Sequence, residues 1–191
     1  FKIISKGDDL MPRCDWADSD PKMQAYHDKE WGHPEHDEQK LFELMSLELM
    51  QAGLSWQTVL NKRPALREVF YDFDIQKVSQ MDQTDVIRLM QDKRIICNRL
   101  KIEAIINNAK VVCQLKQAGL SLDELLWQTV DYKPCINRFT KPEQVPAKTQ
   151  TSLELAKKLK KQGFKFLGPT IAYSLMQAAG LVNDHLVGCQ A

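Results

Sequence analysis

The sequence TSLELAKKLKKQGFKFLGPTIAYSLMQAAG, residues 151–180, carries the most specific structural pattern in the chain. Its first half has the spacing of a capping box at TSLE and ends at Gly163, a residue that favours the left-handed backbone of a helix C-terminus. Pro169 suits the first turn of a second helix, which Gly180 closes. The pattern predicts a helix, a tight hairpin connection and a second helix over about residues 152–180.

The connection of this hairpin has the features of a phosphate-binding site. Gly168 lets the backbone approach a ligand closely, and the free amides of the next helix, at Thr170, carry the positive end of the helix dipole. Lys160, Lys161 and Lys165 are close by in sequence. The turn is therefore suited to bind a nucleic-acid backbone without reading bases. An ordinary helical hairpin with a lysine-rich solvent face is the alternative.

The rest of the chain is also helical in pattern, which predicts an all-α fold. We expect helices at 37–52 capped by Asp37, at PALREVF opened by Pro64, at 82–90 after Asp82, at 93–118 before Gly119, and after SLDE at 121–124. No segment shows the sustained alternation of a β-strand. The proline-containing segment 131–150 is predicted to be a long irregular connection.

Composition narrows the class of protein. The 191 residues are 43% apolar, and 26 basic residues nearly balance 25 acidic ones. No apolar run is long enough to span a bilayer and no signal peptide is recognisable, so we expect no membrane association and a cytoplasmic location. Residues 1–10 precede Met11 and are interpreted as an upstream or artificially added extension. Residues 11–191 are expected to form one functional unit, as a single body or as two helical lobes.

Residues 44–56, LMSLELMQAGLSW, place a carboxylate within an apolar helical pattern. Glu48 shares its predicted helix face with Leu44 and Met45. A carboxylate is seldom buried without a partner, because desolvating its charge is costly. One interpretation is that Glu48 reaches solvent or an arginine. The other is that it forms the wall of a pocket, with Trp56 close to the end of the same helix.

Two Cys and His pairs lie at opposite ends of the chain. Cys14 and His27 form the first pair, and His185 and Cys189, four residues apart, form the second. Two thiolates and two imidazoles are a complete tetrahedral set for Zn²⁺ with no position left for a substrate. The spacing is not that of a common zinc finger, but it suggests one structural metal that joins the two ends.

From Met11 onward, the chain resembles the constitutive, or type I, 3-methyladenine DNA glycosylases. The matching segments follow the family's order: RCDW at 13–16, AYHDKEWG at 25–32, QAGLSW at 51–56, GFKFLGPTIAYSLMQAAGLVNDH at 163–185 and the final VGC. The resemblance implies an all-α, helix-hairpin-helix DNA glycosylase fold with one structural zinc joining the N- and C-terminal segments. It assigns the zinc ligands to Cys14, His27, His185 and Cys189.

The resemblance also implies a base-binding pocket. It assigns base recognition to Glu48, stacking to Trp56, and further aromatic walls to Trp16 and Tyr26. Trp31 either supports the same region or packs in the core.

Two positions near this pocket leave questions open. Met23 occupies a position where the family has an aromatic residue, so the shape of the pocket on that side differs from the family pattern. Leu54 is either a wedge that fills the gap left by a flipped nucleotide or an ordinary core leucine.

The implied activity is removal of 3-methyladenine from double-stranded alkylated DNA by a monomer, leaving an abasic site without lyase cleavage. The family is described as lacking the catalytic aspartate of many helix-hairpin-helix glycosylases, so Asp184 is expected to support the neighbouring His185 or the structure.

Two other functions compete with this interpretation. The first is a non-catalytic, zinc-stapled helix-hairpin-helix module that binds DNA, which has no need for Glu48 and Trp56 around a cavity. The second is a zinc hydrolase, which is disfavoured because protein ligands fill all four metal positions.

Overall fold

The computed structural model describes residues 13–18 and 20–190, so the predicted extension at 1–10 lies outside the described residues. The described part contains nine α-helices: α1 (Pro21–Lys29), α2 (Glu38–Gln51), α3 (Trp56–Val69), α4 (Ile75–Ser79), α5 (Gln83–Met90), α6 (Arg99–Gln117), α7 (Leu122–Trp127), α8 (Gln150–Gln162) and α9 (Pro169–Ala178). Short 3₁₀ turns lie at Asp15–Ala17, Tyr71–Phe73, Gln128–Val130 and Pro142–Gln144. The mostly helical fold confirms the predicted class.

Helix α2 lies at the centre of the core. The side chain of Asp37 accepts a hydrogen bond from the amide of Lys40 and caps the helix, as predicted. Every residue from 41 to 50 is buried, because α2 contacts α3, α6, α7 and α9 on different sides. A helix packed on all sides needs apolar residues around its whole circumference, which explains its sequence.

Helix α6 is the longest helix among the described residues and begins later than the sequence pattern suggested. Its N-terminal cap is Asn98, whose side chain accepts a hydrogen bond from the amide of Lys101. The predicted helix from residue 93 is therefore wrong for residues 93–98, which form a turn followed by an irregular stretch. Gly119, with φ of +81°, follows the C-terminus as predicted.

Two other predicted helix starts are wrong. Pro64 does not open a helix but lies inside α3, which begins at Trp56 because Ser55 caps it through the amide of Thr58. The capping box of α8 is formed by Thr149 and Ser152 rather than by TSLE at 151–154. In both helices the capping side chain lies earlier in the chain than the predicted start, and it accepts a hydrogen bond from a free amide of the first turn.

Helices α8 and α9 pack against each other across the short connection 163–168. Gly163 has φ of +98° and ends α8, and Pro169 opens α9, as the sequence predicted. Gly180, with φ of +70°, must be glycine for a second reason, because an added Cβ would lie 2.2 Å from the backbone of His33. The hairpin is thus anchored to the loop that follows α1.

The segment 131–149 is irregular except for the 3₁₀ turn at Pro142–Gln144 and one strand contact. Strand β1 (Cys135–Ile136) pairs in parallel with β2 (Val182–Asn183), with Cys135 opposite Val182. Strands of two residues are too short to show an alternating pattern, so they could not be predicted. Their pairing fixes the irregular segment beside the end of α9. Among the described helices, none has both the length and the apolar composition required to cross a bilayer.

Candidate functional site

A cavity of about 460 Å³ opens between α2, the start of α3 and the segments at the two ends of the described chain. Its lining contains four aromatic and three acidic residues: Trp16, Tyr26, Trp31 and Trp56, and Asp15, Glu48 and Asp184. The wall of the cavity therefore includes all four residues that were predicted to form a base pocket: Glu48, Trp56, Trp16 and Tyr26.

Glu48 is a buried carboxylate without a partner among the described residues. Its residue is 3% exposed, and one carboxylate oxygen, Oε2, is inaccessible to solvent and makes no hydrogen bond within the described residues. Burial raises the pKa of Glu48 to about 8. Of the two interpretations, a Glu48 that reaches solvent or an arginine is thus excluded for the described part of the chain, and a place in the cavity wall is observed.

Glu43, on the same helix, shows how a paired carboxylate differs. It is also buried, but Arg67 and Arg63 donate to its Oε1 atom from Nε at 2.6 and 2.8 Å. Desolvation acts against the ionised form, yet the hydrogen bonds from the two arginines prevail and lower the pKa of Glu43. Glu48 has no such compensation, so its charge is costly until a ligand supplies a counter-charge.

The aromatic side chains form a connected group around this carboxylate. Tyr26 and Trp56 have ring centroids 4.9 Å apart, and Trp16 meets Trp31 edge-on at 5.1 Å. Burial and the nearby Glu48 raise the pKa of Tyr26 well above its ordinary value, so it stays neutral. Aromatic faces next to one unpaired carboxylate are suited to a flat, positively charged ligand.

Met23 packs behind the cavity rather than in its wall. It is buried in a small cluster with Tyr26 and Leu60, and it is absent from the cavity lining defined by the described residues. Met23, in place of the family's aromatic residue, therefore affects the cavity indirectly, by packing against Tyr26.

Three of the four predicted metal ligands converge beside this cavity. The ligand atoms of Cys14, His27 and Cys189 all lie within 4.8 Å of one another. The Sγ atom of Cys189 is 3.5 Å from Sγ of Cys14 and 3.2 Å from Nε2 of His27. Ligands of a tetrahedral Zn²⁺ are separated by roughly 3.3 to 3.8 Å, given bonds of about 2.0 to 2.3 Å. These atoms are close enough together to bind a metal.

Neighbouring side chains orient His27 for metal binding. Its Nδ1 atom contacts Oδ1 of Asp28 at 2.8 Å, which orients the ring with Nε2 on the side of the cluster. Arg13 donates to both carboxylate oxygens of Asp28. The hydrogen bond from Arg13 lowers the pKa of Asp28 to about 2, so this carboxylate stays ionised.

Ionisation of the Cys189 thiol is disfavoured when no cation is present. Burial and the adjacent Cys14 raise the pKa of Cys189 to about 12. A bound metal reverses this effect, since its positive charge stabilises thiolates. The sulfur and imidazole donors are of the type that zinc prefers.

His185, the fourth predicted ligand, lies next to the cluster but outside the group of three. Its ring centroid is 4.7 Å from that of His27. Its Nδ1 atom contacts Oδ1 of Asn183 at 2.9 Å, and Nε2 is buried without a hydrogen bond among the described residues. Burial lowers the pKa of His185 to about 4, so the ring is neutral. A buried imidazole nitrogen with a free lone pair fits a metal ligand.

Asp184 is buried in a hydrogen-bond network at the edge of the cavity. It is 1% exposed, and it accepts hydrogen bonds from Tyr173 at 2.6 Å, Asn137 at 2.7 Å and Gln177 at 2.8 Å. These partners belong to α9 and to the segment after β1. Asp184 therefore joins its own segment to α9 and to the segment after β1 at the edge of the cavity.

The residues predicted to contact DNA lie on the surface. Leu54, between α2 and α3, is 41% exposed, so the alternative of a core leucine is wrong. Lys165, Gly168 and Thr170 are all exposed. No atom lies within 4 Å of a Cβ placed on Gly168, so this glycine faces open space, where another molecule can approach.

Several residues of the cavity were not predicted. Gln51, Ser174 and Gln177 line it from helices, and Pro142 and Val145 line it from the irregular segment 131–149. A polar side chain on a helix gives no signal for the direction it faces across the fold. The irregular segment has no periodicity that could place it at all.

Comparisons with known proteins agree on one family. The model of the Methyladenine glycosylase family matches residues 16–191. The chain is similar to DNA-3-methyladenine glycosylase 1 of Escherichia coli (strain K12), with 51% identity over 94% of this chain and 96% of that protein.

Solved structures give the same result. A crystal structure of 3-methyladenine DNA glycosylase I has 51% identity and a TM-score of 0.91, covering 93% of this chain and 97% of the other. A variant of 3-methyladenine DNA glycosylase I in complex with 3-methyladenine has 41% identity and a TM-score of 0.89, covering 93% of this chain and 95% of the other.

Proposed function

The chain belongs to the methyladenine glycosylase family, and we propose that this DNA glycosylase hydrolyses the N-glycosidic bond of 3-methyladenine in alkylated double-stranded DNA. It releases the free base and leaves an abasic site. The single observation that carries the proposal is the unpaired, buried Glu48 in a cavity with four aromatic walls.

Methylation of adenine at N3 explains why a cavity that binds the base is sufficient for cleavage of the glycosidic bond. It makes adenine cationic, which weakens the glycosidic bond and turns the base into a good leaving group. The base must still leave the helical stack and enter the cavity, at a cost of a few kcal/mol that is lower for a damaged base. Stacking on the ring of Trp56 attracts the cation by roughly 0.5 to 2 kcal/mol.

Glu48 discriminates the cationic methylated base from neutral, undamaged bases. Its carboxylate accepts hydrogen bonds from the N–H edge of the base, and its negative charge complements the cation. Because burial raises the pKa of Glu48 to about 8, the ionised form is disfavoured in the empty cavity at neutral pH. A cationic base offsets that cost, whereas neutral adenine leaves it in place. Selectivity therefore comes partly from rejection of undamaged bases.

The bond is broken by water without a covalent protein intermediate. The departing base carries away the bonding electron pair and becomes neutral, and water adds to the sugar carbon and releases one proton to the solvent. Asp184 accepts three hydrogen bonds from protein side chains, which supports a structural role rather than attack on the sugar. No lysine is assigned to form a Schiff base, so the enzyme is monofunctional and has no lyase activity.

The metal is Zn²⁺, bound by Cys14, His27, Cys189 and His185. The proximity of the first three ligand atoms and the free Nε2 of His185 support this set. Four protein ligands leave no position for water or substrate, so zinc supplies a cross-link between the two ends of the chain and not a reaction step. The rings of Trp16 and Trp31 pack on His27 and His185, at 5.3 and 4.7 Å, so the same cross-link supports the aromatic wall.

We propose that α8 and α9 form a helix-hairpin-helix that holds DNA, and that the enzyme belongs to that superfamily of glycosylases. Lys165, Gly168 and Thr170 contact the phosphate backbone, and Leu54 enters the duplex where the base has left. Residues 11–191 act as one unit and as a monomer. A cytoplasmic location stays a prediction.

Release of base from methylated DNA is the test of this function. Purified, metal-loaded protein is incubated with methylated duplex DNA, and the released bases are separated by chromatography. We expect free 3-methyladenine and intact, abasic strands. DNA binding without any released base would instead support a non-catalytic module.

A further inference from the structure

Helix α6 carries two buried polar side chains that face away from solvent. Lys101 is 6% exposed and Asn108 is 1% exposed. They are seven residues apart, which is about two helical turns, so they lie on the same side of α6. Both form hydrogen bonds with backbone atoms of other segments, and those segments are the two surface regions assigned to DNA.

Lys101 binds the end of α2. Its Nζ atom donates to the carbonyl oxygens of Met50 at 2.9 Å and Ala52 at 2.6 Å. The last carbonyls of a helix lack partners inside it, and a cation at this end also interacts favourably with the helix dipole. No carboxylate within the described residues forms an ion pair with Lys101, so its charge is directed to these carbonyls alone.

This contact fixes the loop that presents Leu54. The amide of Leu54 donates to the carbonyl of Gln51 at 2.6 Å, and Ser55 then caps α3. The carbonyls bound by Lys101 lie on either side of Gln51. The ammonium group therefore holds the start of the loop, and the exposed side chain of Leu54 follows two residues later.

Asn108 binds the hairpin connection in a similar way. Its side-chain amide accepts a hydrogen bond from the backbone N–H of Lys165 at 2.8 Å and donates to the carbonyl of the same residue at 3.1 Å. Its neighbour Asn107 donates to the carbonyl of Gly163 at 2.9 Å. Both DNA-facing segments are thus tied to one rigid helix.

We propose that α6 sets the distance between the Leu54 loop and the hairpin, and that Lys101 is a positioning residue for base removal from duplex DNA. The inference rests on the proposed function. When the hairpin holds the phosphate backbone, Leu54 can fill the gap only if its loop lies at a fixed distance from the hairpin. Misplacement by about an ångström is enough to slow a reaction that depends on geometry.

The test replaces Lys101 by Met, which keeps the apolar stem and removes the ammonium group. Lys116→Met, at an exposed position near the end of α6, is the matched control. Single-turnover release of 3-methyladenine from methylated duplex DNA is measured together with the affinity for the free base. The same substitution is also made in a Leu54→Ala background. Lys101→Gln, which retains a donor, serves if Lys101→Met does not fold.

We expect Lys101→Met to slow release about tenfold, in line with the loss of hydrogen bonds from a charged donor. Affinity for the free base stays unchanged, because the cavity is intact. With Leu54 already replaced by Ala, Lys101→Met causes little further slowing, since the two residues act through the same step. Lys101→Gln gives an intermediate rate, and Lys116→Met gives the wild-type rate.

Two results would overturn the inference alone. In the first, base affinity falls in proportion to the rate, which makes Lys101 a general support of the fold. In the second, the slowing is equally large in the Leu54→Ala background. Absence of release by the wild-type protein would overturn the proposed function and the inference together.

Discussion

The Nε2 atom of His27 lies 3.2 Å from the Sγ atom of Cys189, although 162 positions separate the two residues in the chain. Cys14 completes this cluster from the other end. A metal bound here connects the first described segment with the last. Because Trp16 follows Cys14 closely and its ring contacts His27, the cluster and the aromatic wall are parts of one structure.

Metal removal is therefore expected to weaken base binding as well as the fold. Chelation should lower the melting temperature, because the binding free energy of a structural metal is part of the folding free energy. It should also reduce the affinity for free 3-methyladenine. Thermal denaturation and base titration before and after chelation measure both effects.

Cysteine variants provide the control for chelation. Cys189→Ala should reproduce the loss of metal, and Cys97→Ser, at an exposed cysteine outside the cluster, should not. An unchanged melting temperature after verified metal removal would contradict a structural role.

Stability should depend on pH through Glu48. Burial raises the pKa of Glu48 from 4.5 to about 8, so between these pH values the folded protein holds a proton that the unfolded chain has released. The free energy of unfolding therefore falls as pH rises from about 4.5 to 8. Glu48→Gln removes this loss, and each pKa unit corresponds to about 1.4 kcal/mol.

Melting curves of the wild type and Glu48→Gln at several pH values measure this difference. The two proteins should melt alike near pH 4.5, and the variant should become progressively more stable towards pH 8. Subtracting one curve from the other removes the pH dependence of the metal cluster. A constant difference across this range would show that the pKa of Glu48 is not raised.

Lys165 should contribute to DNA affinity without affecting the base pocket. Its side chain is exposed, while its backbone is held by Asn108, so Lys165→Ala removes a charge and leaves the hairpin in place. We expect weaker duplex binding and a salt dependence of the binding constant reduced by about one charge. Binding titrations at several salt concentrations measure it. Lys116→Ala is the control, and an equal effect there would indicate nonspecific attraction.

Asp184 should matter more for stability than for chemistry. Asp184→Asn disturbs the hydrogen bonds from Tyr173, Asn137 and Gln177, which is expected to cost roughly 1 to 3 kcal/mol of unfolding free energy. The folded variant should retain base release within about tenfold of the wild-type rate, because no step is assigned to this carboxylate. Single-turnover rates at a temperature where the variant is folded test this. A loss of several orders of magnitude would make Asp184 a catalytic residue.

Much of the fold follows from local sequence. Asp37, Asp82 and Ser121 mark the starts of α2, α5 and α7, because the side chain of a cap binds amides only two or three residues away. Where two caps compete within a few residues, as at Thr149 and TSLE, sequence cannot rank them. The start of α6 at Asn98 was missed because the apolar residues just before it continue the helical spacing.

The candidate site depends more on contacts between residues that are far apart in the sequence. The aromatic residues of the cavity and Glu48 could be named from the family motifs, but the sequence did not establish whether Glu48 has a partner. That depends on which arginines reach α2, and Arg63 and Arg67 bind Glu43 instead. The hydrogen bonds from Lys101 and Asn108 connect positions that are separated by 49 and 57 residues in the sequence. No sequence pattern predicts them.

The assignment of Glu48 to base recognition is best tested by the affinity of the wild type and of Glu48→Gln for free 3-methyladenine, measured at a pH low enough that the free base is protonated and carries the positive charge of the base in DNA. This substitution retains the shape of the side chain and removes its charge, and Glu154→Gln, at an exposed position on α8, is the control. Loss of a charge-assisted hydrogen bond should lower base affinity about tenfold or more and leave affinity for undamaged duplex DNA unchanged. Unchanged base affinity, or an equal loss of both affinities, would contradict the assignment of Glu48 to base recognition.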